Sequence, residues 1–273
     1  MKSATPRSST IIEHRTSLKK LIRELTKRPF HFLPERSADC LNQFFSGYGI
    51  FGPPVWRDLT SFEHWLTKRL FYPQDTGARW WRFIELNSKD SFDGYELFGQ
   101  LYSEYVRTKP IDLQPTAPDF ALDSAQFDFY QHLYGICRRP GMYLGSGDRV
   151  QLLAAYLAGY FKGKSDARIT LTRDEKEFLR FEAWLSKGDK LATQYPWYRV
   201  VEMWPRGRNS FESFCANYDA YLTDFGKKAR GLEDLFEIVK GKVGTTIRRR
   251  KKLPKEIVRS PQPQVWWRST ANR

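Results

Sequence analysis

Apolar residues recur along most of this chain at intervals of three and four. Leu152, Leu153, Tyr156, Leu157 and Tyr160 follow this spacing, which places them on one face of an α-helix. The same period occurs in residues 41–48, 62–66, 92–105, 178–185 and 211–221. Residues 80–86 and 197–203 also contain β-branched residues, but their helical neighbours favour helix there too. The pattern predicts an all-α protein.

The helical segments occur twice in the same order. The matched pairs are RPFHFL with RPGMYL, FFSGY with YLAGY, SFEHWL with RFEAWL, WWRFIEL with WYRVVEM, and SFDGYELFGQLYSEY with SFESFCANYDAYLTD. Their separation drifts only from 111 to 119 residues, and the last pair aligns at 119. Ser91 and Ser210, which begin that pair, are expected to be N-caps.

We therefore predict two tandem homologous helical domains of about four main helices each, residues 21–107 and 127–240. The segment 108–126 between them contains Pro110, Pro115 and Pro118, which disfavour a continuous helix and predict an extended linker.

The positive charge belongs to the ends of the chain. Of the formal net charge of +14, residues 1–20 carry +4 and residues 240–273 carry +10, so the body between them is neutral. We interpret residues 1–20 as a basic flexible N-terminus and residues 241–273 as a basic C-terminal tail. The tail residues that are candidates for partner contact are Arg248, Arg249, Arg250, Lys251, Lys252, Trp266 and Trp267. These residue types suit phosphate contact and base stacking, steering towards an acidic protein, or a solvated tail.

Several functional classes are disfavoured by composition. No uninterrupted apolar run is long enough to span a membrane, and the N-terminal residues lack the apolar core of a secretion signal. The three cysteines are far apart and, like the four histidines, follow no metal-binding spacing, so free thiols and no metal are expected. A cytoplasmic protein without cofactor is the expectation.

The segment RRPGMYLG, residues 138–145, is similar to a motif near the nucleotide in DNA gyrase and its relatives. That family also needs an acidic residue and an asparagine on a helix that holds magnesium, and the helix after Gly145 has no asparagine. The first copy replaces both glycines of the motif by Phe30 and Pro34, which removes the close backbone approach that a phosphate needs. We interpret the segment as a structural turn into the next helix.

The order of motifs in this chain resembles that of the immunity proteins of bacterial polymorphic toxins. The motifs are RPGMYLG, GY, FE.WL, an aromatic-Arg segment and an aromatic helix. The resemblance covers about residues 133–225 and, more weakly, 25–106. It implies a non-enzymatic protein that binds and neutralises a cognate toxin domain. A nucleic-acid-associated regulatory or defence protein that acts through its basic ends remains the alternative.

Charged residues recur between the copies: Glu63 with Glu182, Glu85 with Glu202, Arg82 with Arg199, and Arg28 with Arg139. Paired carboxylates could act in acid-base chemistry, but beside arginine and tryptophan they are more typical of ion pairs that orient helices, so no enzyme is expected.

The first copy also contains GIFGPPVWRDL, a proline-stiffened loop that presents Trp56. Stiff loops with an exposed tryptophan suit binding hot spots, so we predict a partner contact at Trp56, near a groove between the domains; core packing is its alternative.

Overall fold

A computed structural model describes residues 20–51, 55–70, 79–89, 91–108, 127–145, 148–187 and 192–224. Within these ranges the chain forms eleven α-helices, two short 3-10 helices and no strand. The α-helices are α1 (20–27), α2 (Ala38–Tyr48), α3 (Val55–Arg69), α4 (Trp80–Asn87), α5 (Ser91–Thr108), α6 (Phe129–Arg138), α7 (Pro140–Leu144), α8 (Val150–Asp166), α9 (Arg173–Leu185), α10 (Trp197–Met203) and α11 (Ser210–Asp224). The 3-10 helices are Pro29–His31 and Ala192–Gln194.

The prediction of an all-α protein is confirmed in the described ranges. The two segments whose period is ambiguous are the helices α4 and α10. No helix among the described residues combines the length and the apolarity that crossing a bilayer requires. The predicted linker and both basic ends lie almost wholly outside the described residues, and the predicted domain bounds stay a prediction.

The helices group into two compact units. The first unit contains α1 to α5 together with residues 154–169, and the second contains α6, α7, residues 148–153 and α9 to α11 among the described residues. Helix α8 thus contributes its first turn to the second unit and the rest of its length to the first.

Each unit has an aromatic core built on the same contacts. In the first unit the Phe98 ring lies 5.7 Å from Phe62 and 5.1 Å from Trp80, measured between centroids, and it meets Phe62 edge to face. In the second unit Phe214 lies 5.8 Å from Phe181 and 5.3 Å from Trp197, again with an edge-to-face contact to the phenylalanine. Buried aromatic pairs in such geometries contribute about 0.5–1.5 kcal/mol beyond the area they bury. The two units therefore use one packing scheme for α3, α4 and α5 and for α9, α10 and α11.

These ring contacts correct the alignment of the last repeated segment. Alignment at 119 residues would pair Phe98 with Asn217, whereas the ring contacts make Phe214 its equivalent, at a separation of 116. Tyr102 likewise corresponds to Tyr218, since both rings stack on that phenylalanine. A slip of three residues is close to one helical turn, so it leaves an aromatic stripe on the same face. The period alone could not detect the error.

The start of α11 also differs from expectation. Asn209 is the cap, because its Oδ1 accepts a hydrogen bond from the Glu212 amide at 2.8 Å. Ser210 instead serves α8: its Oγ accepts from the Val150 amide at 3.0 Å and donates to the Asp148 carbonyl at 3.1 Å. The side chain of Ser91 lies outside the described residues, so its predicted capping is not observed.

Helices α2 and α8 meet backbone to backbone in the first unit. A Cβ atom placed on Gly159 would overlap the Phe44 carbonyl and lie 2.9 Å from the Tyr48 amide nitrogen. A Cβ on Gly47 would in turn overlap the Tyr156 carbonyl and lie 2.9 Å from the amide nitrogen of Tyr160. The contact is reciprocal, and it joins the two segments, FFSGY and YLAGY, that the repeat pairs. Only glycine permits this approach.

Next to this crossing lies a buried lysine. Lys164 of α8 is 2% exposed, and its ammonium nitrogen lies 5.0 Å from the centroid of Phe51, just after α2. The Tyr160 ring lies 5.7 Å away on the same helix. Near the end of α8, Asp166 accepts a hydrogen bond from the Tyr48 hydroxyl at 3.0 Å. Polar contacts thus fasten the end of α2 to the end of α8.

Replacing Gly159 by alanine should destabilise the protein by about 3 kcal/mol, because the helices must separate to admit the added methyl group. Gly141→Ala is the matched control, since no atom lies within 4 Å of a Cβ placed there. It should be neutral or stabilise α7 by about 0.5 kcal/mol. Urea and thermal unfolding measure both; equal midpoints for the two variants would contradict the close crossing.

Candidate partner-binding surface

Most residues predicted to contact a partner lie where the structure gives no side-chain position. Arg248, Arg249, Arg250, Lys251, Lys252, Trp266 and Trp267 are outside the described residues. Trp56 lies in the first turn of α3, but its side chain is not among those described. These contacts stay predictions, and the observed candidate surface comes from the residues that recur between the copies.

The two Arg-Pro turns begin with the same backbone conformation at their arginines. Arg28 has φ −138° and ψ 61°, and Arg139 has φ −137° and ψ 59°. The Arg28 carbonyl accepts from the His31 amide at 3.1 Å, and the Arg139 carbonyl accepts from Met142 at 3.0 Å. The turn therefore forms with either Phe30 or Gly141 at its centre, as expected for a structural corner rather than for a backbone cradle that depends on glycine.

The recurring Arg–Glu pairs are ion pairs within single helices. On α4, Nη1 of Arg82 lies 3.3 Å from Oε2 of Glu85, and on α10 the same atoms of Arg199 and Glu202 are 3.1 Å apart. Both arginine side chains are at least half exposed, so each pair by itself contributes less than about 1 kcal/mol to stability. The ion pairs are observed as predicted, but because each lies within one helix it does not orient one helix against another.

The other recurring acid supports the packing of α4. Oε2 of Glu63, on α3, accepts a hydrogen bond from the Trp80 amide at 3.3 Å. Trp80 is the first residue of α4, whose preceding residue provides no side-chain cap, so Glu63 caps this helix from its neighbour. Its counterpart Glu182 is buried in the second unit.

The outward side of α4 combines residue types that suit protein contact. The Arg82 guanidinium lies 4.6 Å above the half-buried Trp81 ring, and Leu86, one turn on, is 65% exposed. We call Trp81, Arg82, Glu85 and Leu86 the α4 surface. Tryptophan and arginine are among the residues most enriched at interface hot spots.

Helix α10 does not reproduce this surface. The Arg199 guanidinium lies farther from Tyr198, at 5.8 Å, and Tyr198 is buried. Met203, which corresponds to Leu86, is half-buried. Sequence comparison matches the arginines and glutamates of the two helices but cannot distinguish their surroundings, because exposure depends on neighbouring helices. The repeat therefore predicts the ion pair, while only the structure assigns the exposed apolar residues.

The residue next to the glutamate of each ion pair differs between the two units, and this difference changes the electrostatics of the glutamate. Burial and the Asp39 carboxylate, which forms a hydrogen bond with Glu85, raise the pKa of Glu85, and Arg82 opposes the rise. In the second unit the equivalent of Asp39 is Gln151, whose amide donates a hydrogen bond to Glu202. The first unit thus places two carboxyl groups together where the second places a carboxylate and an amide. No three His, Cys, Asp or Glu side chains of the described residues are grouped as metal ligands.

Exchanging the residue types of Asp39 and Gln151 should change how strongly the stability of the protein depends on pH. Because folding favours protonated Glu85, its contribution is full below its ordinary pKa of 4.5 and is lost as the pH rises through the raised value. Asp39→Gln should therefore lose less stability than the parent protein between pH 4 and pH 8. Gln151→Asp, the reciprocal change, should lose more. Urea unfolding across this range tests both, and parallel curves for all three proteins would refute the coupling.

Comparison of the chain with protein-family models, curated proteins and solved structures finds no match. The resemblance to immunity proteins expected from residues 133–225 and, more weakly, 25–106 stays a prediction. What that resemblance implies about function stays a prediction.

Proposed function

We propose that this chain is a non-catalytic, immunity-type protein that neutralises a cognate toxin domain by binding it. The α4 surface is the observation that carries the proposal in structural terms. It places an exposed leucine beside a stacked tryptophan and arginine, on a helix whose charged pair recurs in the other unit. The sequence resemblance points to the same class of protein.

Rigidity makes this surface suitable for tight binding. Trp80, which precedes it, is 2% exposed and packs on Phe45 and Phe98, and Glu63 holds the first amide of the helix. A backbone fixed in this way loses little conformational entropy when a partner binds. The stacked Arg82 is also held by Glu85, so its guanidinium is oriented before contact.

The predicted contacts outside this surface complete the proposal. Trp56, in the first turn of α3 of the same unit, would add an aromatic contact with the partner. The basic tail, with Arg248 to Lys252, would accelerate association with an acidic toxin face by electrostatic steering. Binding energy would then come chiefly from the α4 surface and Trp56, and association rate from the tail.

The test requires a toxin-like reading frame next to this gene, and it uses the small C-terminal domain that such a frame encodes. Leu86→Ala should weaken binding to that domain by roughly 30-fold, corresponding to about 2 kcal/mol for a hot-spot residue. Its melting temperature should not change, because the side chain is exposed. Arg199→Ala, which removes the equivalent ion pair in the second unit, is the control and should bind normally.

Calorimetry measures the affinity, and co-expression measures whether the chain relieves growth arrest caused by the toxin domain. Unchanged affinity in Leu86→Ala, with toxin neutralisation intact, would remove the α4 surface from the proposal. Failure of the unmodified chain to bind or protect would reject the immunity function itself.

A nucleic-acid-associated role is the second candidate, and the charge distribution favours it. Eleven of the 45 basic residues lie in residues 240–273, with only one acidic residue among them. A segment of this composition would bind phosphate backbones through counterion release. In this alternative Trp266 and Trp267 would stack on bases.

Removal of residues 241–273 separates this candidate from the first. If the tail binds nucleic acid, the full-length chain should bind a labelled single strand with an affinity that falls steeply with salt, on the order of 10³-fold between 50 and 200 mM. The shortened chain should lose this binding and keep its helical circular dichroism. Equal binding by both chains would place any nucleic-acid contact outside the tail.

A further inference from the structure

Two cysteines of the second unit lie side by side on different helices. Cys137 is in the last turn of α6 and is 8% exposed, while Cys215, on α11, is partly exposed. Both are free thiols, and their side chains form a hydrogen bond with each other. In the sequence these cysteines are far apart and follow no metal-binding pattern, and neither of the proposed functions uses them.

The first unit gives an independent measure of this geometry. Helices α1 and α6 align at a separation of 111 residues, and α5 and α11 align at 116. Thr26 therefore corresponds to Cys137, and Gly99 corresponds to Cys215. A Cβ atom placed on Gly99 would lie 3.9 Å from the Cβ of Thr26. Disulfides have Cβ–Cβ distances of about 3.5–4.5 Å. If the second unit keeps this spacing, the positions of Cys137 and Cys215 suit a disulfide.

We propose that Cys137 and Cys215 are a redox modification site, at which a peroxide converts the thiol pair into a disulfide between α6 and α11. The site belongs to the second unit alone and does not depend on the proposed toxin binding. The third cysteine, Cys40, is fully buried in α2 of the first unit and has no part in it.

The reaction balances with hydrogen peroxide as the oxidant. The Cys215 thiolate attacks one peroxide oxygen, the O–O bond breaks, and a sulfenic acid forms while the leaving hydroxide takes up a proton as water. The Cys137 sulfur then attacks the sulfenic sulfur, its proton leaves, and the S–O bond breaks with release of a second water. Two thiols and one peroxide give one disulfide and two waters, and a thiol reductant reverses the change.

The surroundings of the pair determine how fast it reacts. The hydrogen bond with Cys137 and burial, with a smaller effect of the Glu212 carboxylate, raise the pKa of the Cys215 thiol well above its ordinary value. Tyr218 of α11 is a further titratable group near Cys137, Tyr130 of α6 lies beside Tyr218, and Arg208 is paired with Glu212. Since the thiolate is the reactive form, oxidation should be slow at pH 7 and faster at pH 9. This predicts a site that responds to sustained oxidation.

The disulfide would enclose α7 to α10 in one covalent loop. Cross-links across loops of this size stabilise the folded state chiefly by restricting the unfolded chain. The oxidised protein should therefore melt at a temperature higher by on the order of 5–10 °C.

The experiment treats the folded full-length chain with hydrogen peroxide at pH 7 and pH 9. The intact mass should fall by the two hydrogens lost, and non-reducing peptide mapping should find the peptide with Cys137 joined to the peptide with Cys215. Cys40 should remain a thiol. The linked peptide should form faster at pH 9, the melting temperature should rise with its yield, and dithiothreitol should reverse both.

Independent addition of oxygen to Cys137 or Cys215 without a linked peptide would overturn the proposal, and so would no reaction at either pH. A second protein tests the geometry without the native pair. With Cys137 and Cys215 replaced by serine, Thr26→Cys combined with Gly99→Cys should give the equivalent cross-link in the first unit. Failure of this folded variant to cross-link would remove the distance argument on which the site depends.

Discussion

Much of the first unit depends on one close approach, the crossing of α2 and α8 at Gly47 and Gly159. Any side chain at either glycine would collide with a carbonyl of the other helix. This contact brings residues 154–169, from the second copy of the repeat, among the helices of the first. The cation–π contact of Lys164 with Phe51 and the hydrogen bond of Tyr48 with Asp166 can form only because the two backbones lie so near.

Around this crossing, aromatic packing gives both units the same internal geometry but not the same surface. The rings of Phe62, Trp80 and Phe98 reproduce the arrangement of Phe181, Trp197 and Phe214 to within a few tenths of an ångström in centroid distance. Differences accumulate where packing does not constrain the residues. Beside the recurring glutamate, the first unit has Asp39 where the second has Gln151. Thr26 and Gly99 of the first unit correspond to Cys137 and Cys215 of the second. The proposed redox site lies at two of these variable positions.

Period and repetition account for the features that could be predicted from the sequence. The helical class, the helical nature of 80–87 and 197–203, and the Arg82–Glu85 and Arg199–Glu202 pairs all depend on spacing within one segment. The match of the last segment is three residues out of register, because an aromatic stripe looks the same after one helical turn. The exposure of Leu86 and the contact of Cys137 with Cys215 could not be predicted, because both depend on which helices pack together.

The division of α8 between the units has a consequence for how the chain folds during synthesis. A protein built of separate tandem domains can complete its first domain while the ribosome is still making the second. Here the first unit includes residues 154–169, so its packing cannot be completed until that part of the chain has left the ribosome. Until then the face of α2 around Gly47 and Phe44 has no α8 to cover it. An arrest of translation before residue 154 would leave an apolar helix face open to chaperones and to aggregation.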